Sequence, residues 1–354
     1  MGTSGTSGGL PVQAADLTTT WLSEVLGARV DAFALDDIGT GAGIFGEIVR
    51  VRLQGDPSLP PTLVAKFPTT DPNNRPTGDA LGIYEREVRF FRDIAPTTGL
   101  RLPRAYVAEF DAAAGAYVLL LEDLSRFEMG DQVEGISVAR AERVIDGLVG
   151  LHADWWERPE LFALAWLPSS ADPVYLAAVP AIYAAGLPVL ERDWAERVGP
   201  AAISLARELA PAFEDVVRRT GRGPSTFLHT DTRLDNFFFD GDDPIFIDFQ
   251  LAVRGRGPAD VAYLIGSSMN EPDQVHWERL LRRYHDGLLA RGVTAYPWEQ
   301  CLRDYRESVL YYVCSPMSLI GTFDSGNERG ARMTERFVMR FMHHAVGCDA
   351  RIAI

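Results

Sequence analysis

The chain has 354 residues, a formal net charge of −15 and a pI of about 4.9. That acidity excludes a nucleic-acid binder with a basic face; it suits a cationic partner but does not identify one. Three cysteines, Cys301, Cys314 and Cys348, exclude a disulfide framework, and there is no C-x-x-C pair or His/Cys cluster for zinc.

With 47% hydrophobic residues the chain is long enough for a sizeable core in one large domain or two lobes. It has no run of 18 apolar residues and no signal-peptide pattern, so the expectation is a soluble cytoplasmic protein with no membrane partner. Nothing in the sequence sets the oligomeric state.

Residues 1–9 are rich in Gly, Ser and Thr, and residues 1–14 read as a disordered tail. Trp21, Leu22, Val25 and Leu26 fall at helical spacing in 17–26. Residues 30–38 read as a strand. Gly41, Gly43 and Gly46 then form G-x-G-x-x-G. Rossmann folds use the same pattern before a helix, but residues 47–53 alternate and carry Ile48, Val49 and Val51, which predicts a strand. A strand, Gly-rich loop and strand fit backbone N–H groups closing on phosphate. An ordinary hairpin turn has the same pattern.

Residues 63–67 form an apolar strand interrupted by Lys66. A lysine there needs a partner, since an unpaired buried ammonium is costly. The next predicted helix, 81–95, puts Ile83, Glu87, Phe90, Phe91 and Ile94 on one face. Glu85, Arg89 and Arg92 fall on another. A Lys66–Glu87 pair is therefore expected, with Glu85 solvated. Residues 71–79 read as a loop. Strands at 106–110 and 116–121 lead into Leu121, Glu122 and Asp123. Residues 138–156 form an amphipathic helix in which His152 reads as a core histidine. Further helices are expected at 172–186 (Asp172 as cap), 194–209 and 212–219.

Residues 227–250 read as strand, loop, strand, turn, strand. The loop holds His229, Asp231, Arg233 and Asn236, and the last strand delivers Asp248 at one end of the hairpin. Asp231 suits a proton acceptor, and Asn236 and Asp248 are hard oxygen ligands for magnesium. Asp235 reads as a turn residue and His229 as structural. The order His-x-Asp, Asn five residues later, then Asp-Phe, matches the kinase catalytic loop and its metal-binding dipeptide.

On these motifs the chain resembles the aminoglycoside phosphotransferase and choline kinase superfamily of small-molecule kinases. Asp248-Phe249-Gln250 and Leu121-Glu-Asp-Leu124 look most like its ecdysteroid-kinase-like branch. The resemblance spans roughly residues 39–265. It implies an α+β, bilobal protein-kinase-like fold: a small β-rich N-lobe (15–121), a linker (122–126) and a larger, mainly helical C-lobe (127–354).

It also implies roles. Gly41, Gly43, Gly46 and Lys66, paired with Glu87, would bind the phosphates of ATP or GTP. Backbone groups of Leu121, Glu122 and Asp123 would meet the adenine edge. Asp231 would orient the acceptor hydroxyl. Arg233 would stabilise the transferring phosphoryl group or form a surface ion pair. Asn236 and Asp248 would hold Mg2+. The family commonly has Gly after the loop histidine; here Thr230 stands there.

Eleven residues separate Asp248 from Asp260, none of them Ser, Thr or Tyr. That is too short for a protein-kinase activation segment, so the expected acceptor is a small molecule. Asp260, near the start of a helix at 261–268, is structural by the resemblance. Helices at 277–291, 298–317 and 330–346 would wall the acceptor site. Glu271, Asp273, Asp324 and Glu328 lie in or near their connecting loops. A nucleotide-binding homologue without catalysis and a Rossmann-type dehydrogenase are the alternative readings.

Overall fold

The computed structural model describes residues 9–38, 45–322 and 328–354. Gly41, Gly43 and Asp324 therefore lie outside the described residues. The chain divides into two compact units. The first holds 1–97, 102–127 and 247–251, and the second holds 98–101, 128–246 and 252–354.

The first unit is an antiparallel sheet with helices. Its strands are β1 (Val30–Asp37), β2 (Gly46–Gly55), β3 (Thr62–Pro68), β4 (Ala105–Asp111) and β5 (Ala116–Glu122), in the order β1-β2-β3-β5-β4. β2 follows the Gly-rich loop directly, so the loop opens a strand and not the helix a Rossmann fold requires. Leu63, Ala65 and Phe67 are fully buried. They join Val49, Val51, Val118 and Leu120 in a core closed by Trp21 and Leu22 of α1 (Thr19–Leu26). Thr18 caps α1 by accepting from Trp21 N–H, as Thr does well at this position.

Two expectations change here. Residue 14 is not part of a loose tail: Ala14 is buried and its N–H donates to Glu47 Oε2 at 3.0 Å. The stretch expected as loop at 71–79 contains α2 (Arg75–Leu81). Its Pro76 and Gly78 read as breakers, but Pro is tolerated in a first turn. Gly82, at φ +65°, ends α2 and starts α3 (Ile83–Arg89), which continues as a π turn over Phe90–Ile94.

The second unit is mainly helical: α4 (Val138–Trp155), α5 (Pro159–Ala163), α6 (Pro173–Val189), α7 (Ala195–Leu209), α8 (Phe213–Thr220), α9 (Pro258–Ser268), α10 (Glu271–Gln274), α11 (Trp277–Ala290), α12 (Trp298–Tyr312), α13 (Cys314–Thr322) and α14 (Glu328–Gly347). Asp172 caps α6 through Val174 N–H. α7 is broken at Gly199, whose φ of 82° only glycine adopts cheaply. One stretch, Pro173–Thr220, is long and apolar enough by composition to cross a membrane. Its α6 segment packs Tyr183 and Gly186 inside the unit, and Glu191, Arg192 and Asp193 follow at once.

Short strands β6 (Glu128–Met129), β7 (Thr226–Leu228), β8 (Phe237–Asp240), β9 (Asp243–Phe246) and β10 (Val253–Gly255) form two small sheets, β6-β8-β9 and β7-β10. β8 and β9 are the expected hairpin, turning at Gly241 (φ 63°) with Phe237 opposite Phe246. Cys301, Cys314 and Cys348 are unpaired and buried.

Candidate functional site

The first unit carries a cation held by two acids. Lys66 is flanked in register by Ile48 on β2 and Leu119 on β5. It lies on the face of β3 opposite Ala65 and Phe67. Its Nζ is 2.7 and 2.9 Å from the Glu87 oxygens and 3.5 Å from Asp248 Oδ1. Glu87 reaches it because α3 turns the Ile83, Glu87, Phe90 face inward, while Glu85 stays outside and pairs with Arg89. The Tyr117 hydroxyl on β5 also donates to Glu87 Oε2 at 2.6 Å.

Burial works against the Lys66 ammonium, but Asp248 and Glu87 outweigh it and push the group up to about 12. Lys66 is therefore a cation throughout the physiological range. Burial raises Glu87 despite the lysine beside it. Phe249, next to Asp248, stacks on Phe90 with ring centroids 3.5 Å apart and planes 6° from parallel. Tyr84, one α3 turn before Glu87, donates to Phe45 O at 2.7 Å, at the end of the Gly-rich segment. Gly46 pairs with Pro68, where an added Cβ would sit 3.3 Å from Phe67 O.

Leu121 and Glu122 end β5, and Asp123 follows it. Glu122 N–H donates to Arg104 O at 2.8 Å, so this donor is already engaged. The Asp123 carboxylate takes Arg50 Nε at 2.7 Å and Ser125 N–H at 2.9 Å.

The second unit carries the catalytic-type loop between β7 and β8. Asn236 Nδ2 donates to Asp231 O at 2.8 Å and to Asp231 Oδ2 at 2.9 Å. This leaves its amide oxygen outside those bonds. Arg233 Nε lies 3.3 Å from Asp231 Oδ2. The Tyr263 hydroxyl is pushed well above its ordinary range, first by burial and then by the nearby Asp231 charge.

The loop is pinned from behind by Asp260, which is fully buried on the first turn of α9. Its carboxylate accepts His229 N–H and Thr230 N–H, each at 2.8 Å. His152 Nε2 lies 3.2 Å from the same group, and His152 Nδ1 is 2.8 Å from the Tyr284 hydroxyl. With its proton on Nε2, His152 donates to Asp260 and accepts from Tyr284. Thr232 Oγ1 donates to Asp260 O at 2.8 Å.

Thr230 occupies the position expected for glycine, and its φ is +65°. A left-handed conformation costs a β-branched residue roughly 1–2 kcal/mol, and glycine loses about 0.5–1 kcal/mol more chain entropy on folding. Thr230→Gly is expected to stabilise the protein by about 0.5 kcal/mol, read as a higher denaturant midpoint. A loss beyond about 1 kcal/mol would show that contacts of the threonine side chain outweigh the strain.

Among the described residues no cluster of three or more His, Cys, Asp or Glu is suited to a metal. The residues do fit magnesium shared with phosphates, which needs only one or two protein oxygens. Asp248 Oδ1 is buried, and its only polar neighbour among the described residues is Lys66 Nζ at a long 3.5 Å, which leaves room for an ion. The Asn236 amide nitrogen is committed to Asp231, which leaves its amide oxygen outside those bonds. Each is the hard oxygen such an ion takes. Of the loop acids, Glu271 pairs with His343 at 3.5 Å, Asp273 lies in α10 and Glu328 opens α14.

A lysine held by a helix glutamate, an Asp-Phe segment and an Asp/Asn loop define a phosphotransferase of the kinase-like class. A family model for the phosphotransferase enzyme family matches residues 50–298, and the chain belongs to that family. It is a small-molecule kinase.

Solved structures agree on the fold. A proposed aminoglycoside phosphotransferase of Ralstonia eutropha is 14% identical, with 94% of this chain and 96% of that chain covered and a TM-score of 0.56. Choline kinase of Cryptosporidium parvum is 11% identical, with 90% of each chain covered and a TM-score of 0.55. The ADP-bound aminoglycoside phosphotransferase APH(2'')-Ib is 12% identical, with 91% and 97% covered and a TM-score of 0.51. No curated protein matches the sequence.

Proposed function

We propose that the protein transfers the γ-phosphoryl group of ATP, or of GTP, to a hydroxyl of a small molecule. The observation that carries this reading is Lys66, held between Glu87 and Asp248 and charged at every working pH. Lys66 positions the α- and β-phosphates, and the Gly-rich segment supplies backbone N–H groups to them. Asp231 orients the acceptor hydroxyl for in-line attack and takes its proton. Arg233, beside Asp231, offsets charge on the transferring group. Asn236 and Asp248 would hold Mg2+, which neutralises phosphate charge when bound. Positioning and electrostatics, rather than covalent chemistry, carry the rate. The ADP-bound relative supports a nucleotide donor.

The test is consumption of ATP and of GTP across aminoglycosides, amino alcohols, sugars and sterols, alongside tryptophan-fluorescence titration with each Mg2+–nucleotide and with NADPH. Turnover with one acceptor class supports the reading and names the class. Tight nucleotide binding with no turnover, even to water, would favour a binding protein. Absence of nucleotide binding would sink the proposal.

A further inference from the structure

Gln132 is wholly buried, and the reaction described above does not use it. It lies just after β6, in a segment pressed against the catalytic-type loop. The contact is so close that a Cβ on Gly130 would fall 2.2 Å from Leu234 O. Gly130 N–H donates to Phe237 O at 2.9 Å. The Gln132 amide oxygen accepts Leu234 N–H at 2.6 Å, and its Nε2 donates to Ser267 O at 2.6 Å. Its own N–H donates to Asp235 Oδ1 at 2.9 Å, and its carbonyl accepts from Arg340 at 2.6 Å.

Leu234, Asp235 and Asn236 form the single 3-10 turn that carries the loop's asparagine. The first N–H of such a turn has no partner within the turn. Here Gln132 supplies it, with Ser268 Oγ sharing the same N–H at 3.0 Å. Arg340 fixes Gln132 from behind. Its guanidinium is buried, and its hydrogen-bond acceptors among the described residues are all neutral: Gln132 O, Val133 O, Ser267 O and Asn270 Oδ1. The linkage therefore runs from α14 through Gln132 to the turn, and from the turn through Asn236 to Asp231.

We infer that Gln132 is a positioning residue for phosphoryl transfer. It sets the turn so that the Asn236 amide nitrogen holds Asp231 and the amide oxygen would be offered to Mg2+. The inference rests on the phosphotransferase reading above. A side chain that holds a ligand-bearing turn through its backbone acts like the outer partner of a metal ligand. Loss of such a partner typically costs about tenfold or more in metal affinity or rate.

Gln132→Met keeps the volume and removes all three side-chain hydrogen bonds, to Leu234 N–H, Ser267 O and the Ser268 hydroxyl. The experiment measures Mg2+-dependent ATP hydrolysis, with water as acceptor, on the full chain. The expected result is a kcat lower by about tenfold or more and a half-saturating Mg2+ concentration raised by about tenfold. Nucleotide affinity at saturating Mg2+ should stay close to wild type. Ser268→Ala, which removes the second partner of the same N–H, should move both parameters in the same direction but less.

Tyr183→Phe is the control. That buried hydroxyl donates to Ala206 O at 2.7 Å and touches neither Arg340, the turn nor Asp231. It should lower stability and leave kcat and the Mg2+ requirement unchanged. If Gln132→Met and Tyr183→Phe behave alike, Gln132 is only structural and the inference fails while the phosphotransferase reading stands. A wild type that neither binds nor hydrolyses ATP or GTP would remove the phosphotransferase reading, and this inference with it.

Discussion

Asp260→Ala should destabilise the protein by about 4 kcal/mol, most of it through the loop that carries Asp231. The substitution leaves three buried donors facing an apolar methyl: His229 N–H, Thr230 N–H and the His152 ring. An unsatisfied buried donor costs about 1–3 kcal/mol, and removing one partner of a buried polar network costs about 3–5 kcal/mol. Asp260→Asn keeps one accepting oxygen but turns an NH2 toward the remaining donors, so about half of the loss should persist. Denaturant unfolding of the three proteins measures this. A loss under about 1 kcal/mol for Asp260→Ala would mean that water or a shifted loop replaces the carboxylate.

The same experiment has an internal cross-check. Asp260 holds Thr230 in its left-handed conformation, so Thr230→Gly should gain less in the Asp260→Ala background, where the loop can relax, than in wild type. Adjacent sites that share a bond are not additive.

Asp231→Asn should lower kcat by about 10³-fold while nucleotide affinity and the unfolding midpoint stay near wild type. An amide of the same shape still meets Asn236 and Arg233 but cannot take a proton, and a positioned base contributes about 10²–10⁴-fold. Lys66, Glu87 and Asp248, the groups proposed to hold the nucleotide, are untouched, which is why binding should be spared. Steady-state kinetics on the acceptor found in the panel, with a fluorescence titration of the nucleotide, separates the two parameters. A kcat within about tenfold of wild type would assign Asp231 a positional role at most.

The elements around these residues were legible wherever one local pattern was unopposed. The alternation of β3 and the helical face of α3 each marked the odd polar residue, Lys66 and Glu87, and those two meet. The Asp-Gly-Asp-Asp-Pro turn marked the β8–β9 hairpin. α2 was not legible, because Pro76 and Gly78 argue for a loop when only local propensity is weighed. Tertiary contacts decide it instead. Arg75 pairs with Asp79 and donates to Gly115 O, and Gly78 leaves room for the Tyr84 hydroxyl.

The supporting residues of the site left no pattern at all. Tyr117 reads as an ordinary strand aromatic, and Tyr263 as one apolar residue of α9. Gln132 reads as a polar loop residue. Each matters through a partner between 30 and 140 positions away. Such pairs have no spacing rule, so a single sequence cannot show them. Thr230 is the reverse case: the residue that departs from the family's glycine is the one the backbone strains.

The three buried cysteines have a practical consequence. Burial pushes the thiols of Cys314 and Cys348 up to about 12, and Cys301 further still. The reactive species is the thiolate, so the native protein should ignore alkylating reagents at neutral pH. All three lie in α12 to α14 or just after α14. The rate at which they become labelled therefore clocks the opening of the C-terminal helices, without any added probe. Counting labelled sites by mass would show whether those helices open one at a time or together.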